Sequence, residues 1–415
     1  MFWLNLSWRN LLRNKRRAFF TISAMALAYA AINLLSGFML YVFRGLEDTY
    51  VYAFEGGHLT VSKPMPKDRD PLEDGPVFIT AEELDLVQAA IENMPGVLKV
   101  TPRISLVGML SNGERSTIMM AQGKVAADGR FIRQQGRGIM RELQLYEGQD
   151  LADSGEYEIA IAHGLADRLG LGIDGQAITM ANTLEGYMNA LDAQVVQLQD
   201  APLEVLDEML ATLPLEYAQQ LLDTDGVESL VVLIEDGKVL EAKQAELETL
   251  LAEAGFSLQV ENWKDLRVSY HRIRNMFQVI FSFVFLIVLM IVILSVINTV
   301  TMAVMERTRE IGTLRAIGLN RNGVIRLFTI ESMLMALLGS AVGAAIYGAV
   351  WWAVQLVRPS WIPPNIPKRV PWEISFAPTV LLSSFLVLIA LAALAAWLPS
   401  RRAGQMSIPE ALTHN

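Results

Sequence analysis

The chain has no cysteine and only four histidines among its 415 residues. The missing cysteine excludes a disulfide-stapled small protein and any thiolate-held zinc or iron–sulfur centre. His58, His163, His271 and His414 are scattered, and solvent-exposed or capping positions suit each better than a shared metal site. Catalytic signatures are missing as well: no G-x-x-x-x-G-K-[ST], H-E-x-x-H or G-x-S-x-G occurs. No metal, directly bound cofactor, catalytic residue or nucleic-acid partner is expected.

Charge is absent from four long stretches, residues 18–43, 275–305, 332–357 and 374–400, in a chain that is 52% hydrophobic with mean hydropathy +0.33. A bilayer core demands roughly 20 apolar residues per helix, and each stretch exceeds that. A signal peptide has a shorter apolar run of about 7–15 residues and a small-x-small cleavage site, so residues 18–43 read as a retained span. The sequence predicts an α-helical membrane protein with four transmembrane helices and a large mixed α/β extracytoplasmic domain between helices 1 and 2.

The acids are concentrated between the first two runs. Residues 44–270 hold 17 Lys and Arg against 39 Asp and Glu, a net of −22 that exceeds the −10 of the whole chain. Short basic flanks mark the cytoplasmic side. Arg9, Arg13, Lys15, Arg16 and Arg17 precede the first run, Arg307, Arg309, Arg315, Arg321 and Arg326 lie between the second and third, and Arg401 and Arg402 follow the fourth. The division expected is a cytoplasmic or interfacial segment 1–17, helix 1 at 18–43, the outer domain with its stalks at 44–274 and helix 2 at 275–305. A coupling loop 306–326, helix 3 at 327–357, a short outer loop 358–373, helix 4 at 374–400 and a cytoplasmic tail 401–415 complete it. Arg358, Lys368 and Arg369 sit uneasily in an outer loop, which is short and proline-rich. Leu4, Trp8, Leu11 and Leu12 recur at helical spacing, so the first segment suits the inner membrane surface.

Within the acidic region strand and helix signals alternate, as in a mixed α/β domain. Strands are expected at 58–62 and on both sides of Asn112–Gly113, a strong hairpin turn, with a helix at 81–93. Residues 227–234, 239–254 and 257–261 read as a βαβ unit, and a small β-rich subdomain is expected between the outer pieces. Gly170, Gly172 and Gly175 spell G-x-G-x-x-G, but a helix precedes and a strand follows, the reverse of what a pyrophosphate needs. A helix end and turn is the better reading. Glu82, Glu83 and Asp85 crowd a helix start, where negative charge is favoured without a metal.

The charged, glycine-containing stretch MERTREIGTLRAIGLNRNGVIRLF interrupts the apolar half. It suits a short helix ended by Gly318. The stretch resembles the loop that joins spans two and three in ABC transporter permeases of the MacB, FtsX and LolC/LolE superfamily. That loop carries E-R-x-x-E-I-G-x-x-[RK]-A-[IVL]-G, here Glu306, Arg307, Glu310, Ile311, Gly312, Arg315, Ala316, Ile317 and Gly318, with Arg309 among them. The tail PSRRAGQMSIPEAL is similar to the family's ending, with Pro409, Glu410, Ala411 and Leu412 departing slightly from P-x-E-A-L, and Ser407 with Glu410 has capping-box spacing. WRNLLRNKRR near the start fits as well.

The resemblance implies a paired permease, homo- or heterodimeric, resident in the bacterial inner membrane with both termini cytoplasmic. It implies a separate cytoplasmic ABC ATPase that holds the ATP and docks on Glu306–Gly318, driving the outer domains by mechanotransmission. Release of a lipoprotein substrate is the favoured activity. FtsX-like control of a cell-wall hydrolase through a periplasmic partner, and MacB-like drug or peptide export, are the alternatives. Residues 44–55 and 264–274 lack helix breakers over most of their length and are expected to extend spans one and two as stalks. Gly339, Gly343 and Gly348 offer small-residue helix packing on span three. Glu331 is expected near the inner surface, reaching headgroups or a loop arginine.

Overall fold

The computed structural model describes residues 2–13, 15–64, 77–136, 146–153, 157–201, 203–362 and 369–406. The tail segment Pro409–Leu412, the Ser407/Glu410 pair and His414 lie outside them, as do residues 363–368 of the proline-rich loop. Two compact units emerge. One comprises Met1–Val42, Ile273–Pro359 and Trp372–Asn415; the other comprises Phe43–Arg272 and Ser360–Pro371.

Helices α1 (Phe2–Arg13) and α2 (Lys15–Glu47) open the chain, and a π-helical turn, Asp48–Ala53, follows. The acidic region then folds as β1 (Leu59–Ser62), α3 (Ala81–Glu92), β2 (Val97–Ser111), β3 (Ser116–Lys124), α4 (Ala126–Gln135), β4 (Tyr146–Gly148) and β5 (Glu158–Ala162). It continues through α5 (His163–Leu169), β6 (Gln176–Asn182), β7 (Met188–Gln199), α6 (Glu204–Asp207), β8 (Leu210–Pro214) and α7 (Leu215–Leu222). Strand β9 (Ser229–Ile234), α8 (Leu240–Glu253), β10 (Gln259–Asn262) and α9 (Trp263–Leu266) complete it.

Local chemistry accounts for several boundaries. Thr80 and Glu83 form a capping box at the start of α3. Gly113, at φ +89°, turns β2 into β3, and the Asn112 side chain accepts from the Glu114 and Arg115 N–H groups at 2.9 and 2.7 Å. Gly170 closes α5 at φ +64° before β6 begins, which is the helix end and turn expected of the G-x-G-x-x-G stretch.

Strands β1 to β10 make one sheet in the order β10-β1-β9-β2-β3-β8-β5-β7-β4, with β6 bridging β2 and β7; Ser360–Trp361 and Val370–Pro371 pair in a separate two-stranded sheet. Strand β1 pairs antiparallel with both β9 and β10, and β9 pairs antiparallel with β2. The βαβ unit expected at 227–261 is therefore split: β9 and β10 run parallel, but β1 lies between them. The unit β1-α3-β2 is split in turn by β9. These interlocked crossovers form a β-α-β-β-α-β layer, and β3 to β8 enter the chain between its second and third strands. The 15-residue β2 belongs to both parts. One core gathers Val61, Ile91, Val232 and Trp263; the other gathers Ile104, Met119, Ile161 and Tyr217.

In the apolar unit, α10 (Val268–Glu306), α11 (Thr308–Ala316), α12 (Arg321–Val357) and α13 (Pro378–Gln405) follow. Among the described residues four helical stretches are long and apolar enough to cross a membrane: Lys15–Ala53, Tyr270–Glu306, Arg321–Val357 and Pro378–Gln405. The expected helical stalk at 264–274 is corrected at its start. Asn262 caps Lys264 and Asp265 at 3.0 Å each to open the separate α9, and Arg267 leaves helical geometry at φ −110°, ψ 89° before α10 begins.

Polar side chains inside the apolar unit meet each other, as a hydrocarbon solvent requires. Thr21 and Thr299 share a 2.6 Å hydrogen bond, and Asn33 donates to Ser384 at 3.0 Å.

Candidate functional site

Helix α10 ends where charge begins. Arg307, at φ −112°, breaks it, and the nine-residue α11 follows. The chain turns at Gly318, whose φ of +111° suits glycine alone, and Asn320 restarts it by accepting from the Gly323 N–H at 2.8 Å. The resulting elbow has two faces. Thr308, Ile311 and Gly312 are buried, whereas Arg309, Thr313, Leu314, Ala316, Ile317 and Gly318 are open to solvent. Ile317, just past the end of α11, is 80% exposed.

The signature residues divide between these faces. Glu306 accepts two hydrogen bonds from Arg17, at 2.6 and 2.9 Å, and Glu310 accepts one from Arg13 at 3.1 Å. Arg307 is buried: it donates to the Asn10 carbonyl at 3.1 Å and stands 3.7 Å from the Glu331 carboxylate. Glu331 thus faces a loop arginine, one of the two roles foreseen for it. Arg315 donates to the Met406 carbonyl just past α13. Glu306, Arg307, Glu310 and Arg315 therefore bind the elbow to the rest of its own unit, with Ile311 and Gly312 packed beneath. Arg309, Ala316 and Gly318 face outward.

Arg13, Arg17 and Asn10 were visible in the sequence only as a basic flank. Their signal was a matching interval: two arginines four residues apart meet two glutamates four residues apart. The α1 helix is held to α12 as well, since Ser7 donates to the Leu327 carbonyl at 3.5 Å and Leu11 is buried in the helical core. The outward pair Leu314 and Ile317 also escaped notice as a pair.

On α12, Gly339 and Gly343 allow α2 to approach closely. A β-carbon at Gly339 would stand 2.6 Å from the Met25 side chain, and one at Gly343 would stand 2.6 Å from the Ala26 carbonyl. Gly348 is separate from this contact, with no atom within 4 Å of the equivalent position.

The α/β unit holds a buried ionic cluster that no sequence pattern marked. Glu55, held at φ +56°, pairs with Lys124 at 2.7 Å and with Arg133, while Arg103 donates to the Glu55 carbonyl. Burial, and after it the nearby Arg103, pulls Lys124 down to about 7. A methyl at Gly129 would collide with the Glu55 carboxylate. His58 departs from the exposed or capping role expected of it. It is buried, and its Nδ1 accepts from the Ile234 N–H at 3.3 Å because β1 is inserted beside β9. Glu83 is committed to its helix cap and to Lys63 at 2.5 Å, and its carboxyl lies below the usual range chiefly through that lysine. Among the described residues no three His, Asp or Glu gather in a way that could hold a metal ion.

Two family models match the chain. The MacB-like periplasmic core domain covers residues 18–250, and the FtsX-like permease C-terminal domain covers residues 282–408. A stretch of 115 residues, 28% of the chain, is 35% identical to the macrolide export ATP-binding/permease protein MacB of Shigella boydii serotype 4. It is 34% identical to that of Escherichia coli strain K12. These matches span 16% of the relatives' own length. Among solved structures, the extracellular domain of the noncanonic ABC-type transporter YknZ from Gram-positive bacteria aligns with TM-score 0.35 and 15% identity, over 50% of this chain and 100% of that one. The periplasmic region of MacB from Actinobacillus actinomycetemcomitans aligns with TM-score 0.36 and 12% identity, over 51% and 90% respectively.

Proposed function

Because this chain belongs to the MacB/FtsX family of ABC transporter permeases, we propose that its elbow, Glu306–Gly318, is the seat of a cytoplasmic ABC ATPase. The observation that carries this reading is the two-faced elbow. Its inner face is tied to α1, α12 and the end of α13, so a force on its outer face moves them together. The outer face presents Leu314 and Ile317, apolar side chains that gain by entering a groove on a partner.

The sequence carries no phosphate-binding loop, so nucleotide hydrolysis belongs to that partner, and the role of this chain is non-catalytic. Both termini and the elbow lie in the cytoplasm, and the acidic α/β unit lies outside the inner membrane. This orientation follows the basic flanks and the −22 charge of residues 44–270. Two permease subunits pair, and closure of the ATPase is passed through α2 and α10 to the outer units. The work done there is release of a lipoprotein or another lipid-like substrate. Export of a drug or peptide is the second reading, favoured by the 115-residue match to macrolide exporters.

Purification with the co-expressed ATPase in mild detergent tests the seat. Leu314→Glu with Ile317→Glu is expected to lose the ATPase without loss of fold; retention of a full complement by this variant would end the proposal. ATP-dependent release of lipoprotein from proteoliposomes separates the first reading from macrolide transport, and stimulation of a wall hydrolase would instead favour a regulatory role.

A further inference from the structure

An antiparallel sheet with one covered face ordinarily alternates apolar inward and polar outward residues. Strands β2, β3, β6 and β7 break that rule. Their inner positions, Leu106, Leu110, Met119 and Ala181 among them, pack in the core with Leu165, Tyr217 and Leu221. Their outer positions are apolar too. Val107 lies opposite Met120, Met109 lies opposite Ile118 and also Met180, and Met188 ends the β6–β7 ladder opposite Asn182. Val107 is 67% exposed, Ile118 61% and Met188 71%. These six residues share one face of the sheet; among the described residues five of them are left exposed and Met180 is half-buried. Contiguous exposed apolar area marks an interaction site, and methionine supplies adaptable contacts suited to varied partners.

The occupant is indicated by charge. The rim carries Asp192 on β7, in register with Ile178 on β6, Glu114 in the β2–β3 turn, Glu185 in the β6–β7 turn and Glu228, which accepts from the Ser105 N–H at 2.6 Å. Arg115 opposes them. Residues 44–270 as a whole stand at −22, so a second copy on this face is repelled and a cation is drawn in. We propose that the outer face of β2-β3-β6-β7 docks a cationic amphipathic helix, whose apolar stripe lies on the methionines and whose basic flanks meet the acidic rim. Docking needs no nucleotide and does not rest on the ATPase reading.

The test uses the full chain in zwitterionic-lipid nanodiscs, with empty discs as the blank. The probe is a fluorescent 18-residue helix of leucine and lysine with its leucines on one face, followed by anisotropy. Saturable binding is expected, weakened at least tenfold when glutamate replaces the probe lysines and at least tenfold by Ile118→Lys. Val107→Lys, at a still more exposed position, serves if the first variant misfolds. Failure to saturate, equal binding of the glutamate helix, or indifference to both variants would overturn the proposal. A benzophenone placed at residue 118 that cross-links two copies of the chain would overturn it as well.

Discussion

Both terminal nitrogens of Arg17 reach the carboxylate of Glu306, at 2.9 and 2.6 Å, so the start of α2 and the end of α10 are joined by a fork-to-fork ion pair. A bidentate pair fixes orientation as well as distance. The side chains are 28% and 42% exposed, and such a pair contributes about 1 kcal/mol or less to stability. On the proposed reading its value lies in transmission. Arg17→Glu is expected to leave the ATPase bound but to uncouple hydrolysis from work at the outer unit. Arg17→Glu with Glu306→Arg is expected to restore coupling. The measurement is ATPase rate against substrate release for wild type, both single variants and the double variant. Loss of ATPase binding by Arg17→Glu alone would show that the arginine touches the partner directly.

Close approach of α2 and α12 at Gly339 and Gly343 leaves no room for a side chain, since a β-carbon at either position would meet α2 atoms at 2.6 Å. Overpacking of this kind costs about 1–3 kcal/mol or forces the helices apart. Gly343→Leu is expected to lower the melting temperature in detergent, whereas Gly348→Ala, in open space, is expected to leave it unchanged. Equal effects of the two substitutions would refute the packing role.

The long apolar helices and the local turns were legible because their causes are local. Charge-free runs mark the helices, Asn112–Gly113 marks the β2–β3 hairpin and the acids Glu82, Glu83 and Asp85 crowd the start of α3. Strand order was not legible. That β1 sits between β9 and β10 depends on pairing Leu59 with both Val232 and Asn262, contacts that leave no periodic trace in sequence. His58 was misjudged for this reason: its burial comes from the insertion of β1. The stalk expected ahead of span two began too early, at 264 instead of 268, because an asparagine cap at position 262 looks like any polar residue until its partners are known. At the elbow, motif spacing cannot say which residues of the signature look inward. Arg13 and Arg17 lie about 290 residues from the glutamates they meet.

Glu55 neutralises cations that its surroundings bury. Its side chain is 2% exposed, that of Lys124 is 11% and that of Arg133 is 19%. Removing one partner from a buried pair costs about 3–5 kcal/mol, because a charge is left without compensation. Glu55→Gln is expected to destabilise the α/β unit on this scale. Lys124→Met, which leaves Glu55 paired with Arg133, is expected to cost less. Urea unfolding of the full chain, followed by tryptophan fluorescence, ranks the two. The reverse order would mean that the lysine rather than the carboxylate organises the cluster.

His58 makes the stability of the same unit depend on pH. Burial, the largest cause, lowers it from 6.5 to about 4; Asp236 acts in the opposite direction and Lys264 adds to the fall. Between those values the unfolded chain binds a proton that the folded chain refuses, so the contribution is complete above pH 6.5 and is lost as the pH falls toward 4. At pH 5 the loss amounts to about 2 kcal/mol relative to pH 7. His58→Phe removes the titration at the cost of the acceptor for the Ile234 N–H, about 1–3 kcal/mol at every pH. The variant is therefore expected to be weaker than wild type at pH 7 and to lose less on acidification. Trp263 is buried beside this site, its backbone N–H donating to the His58 carbonyl at 3.1 Å, and reports the unfolding directly. A wild-type slope between pH 7 and 5 identical to that of the variant would show that the acid sensitivity of the unit comes from its carboxylates and not from this imidazole.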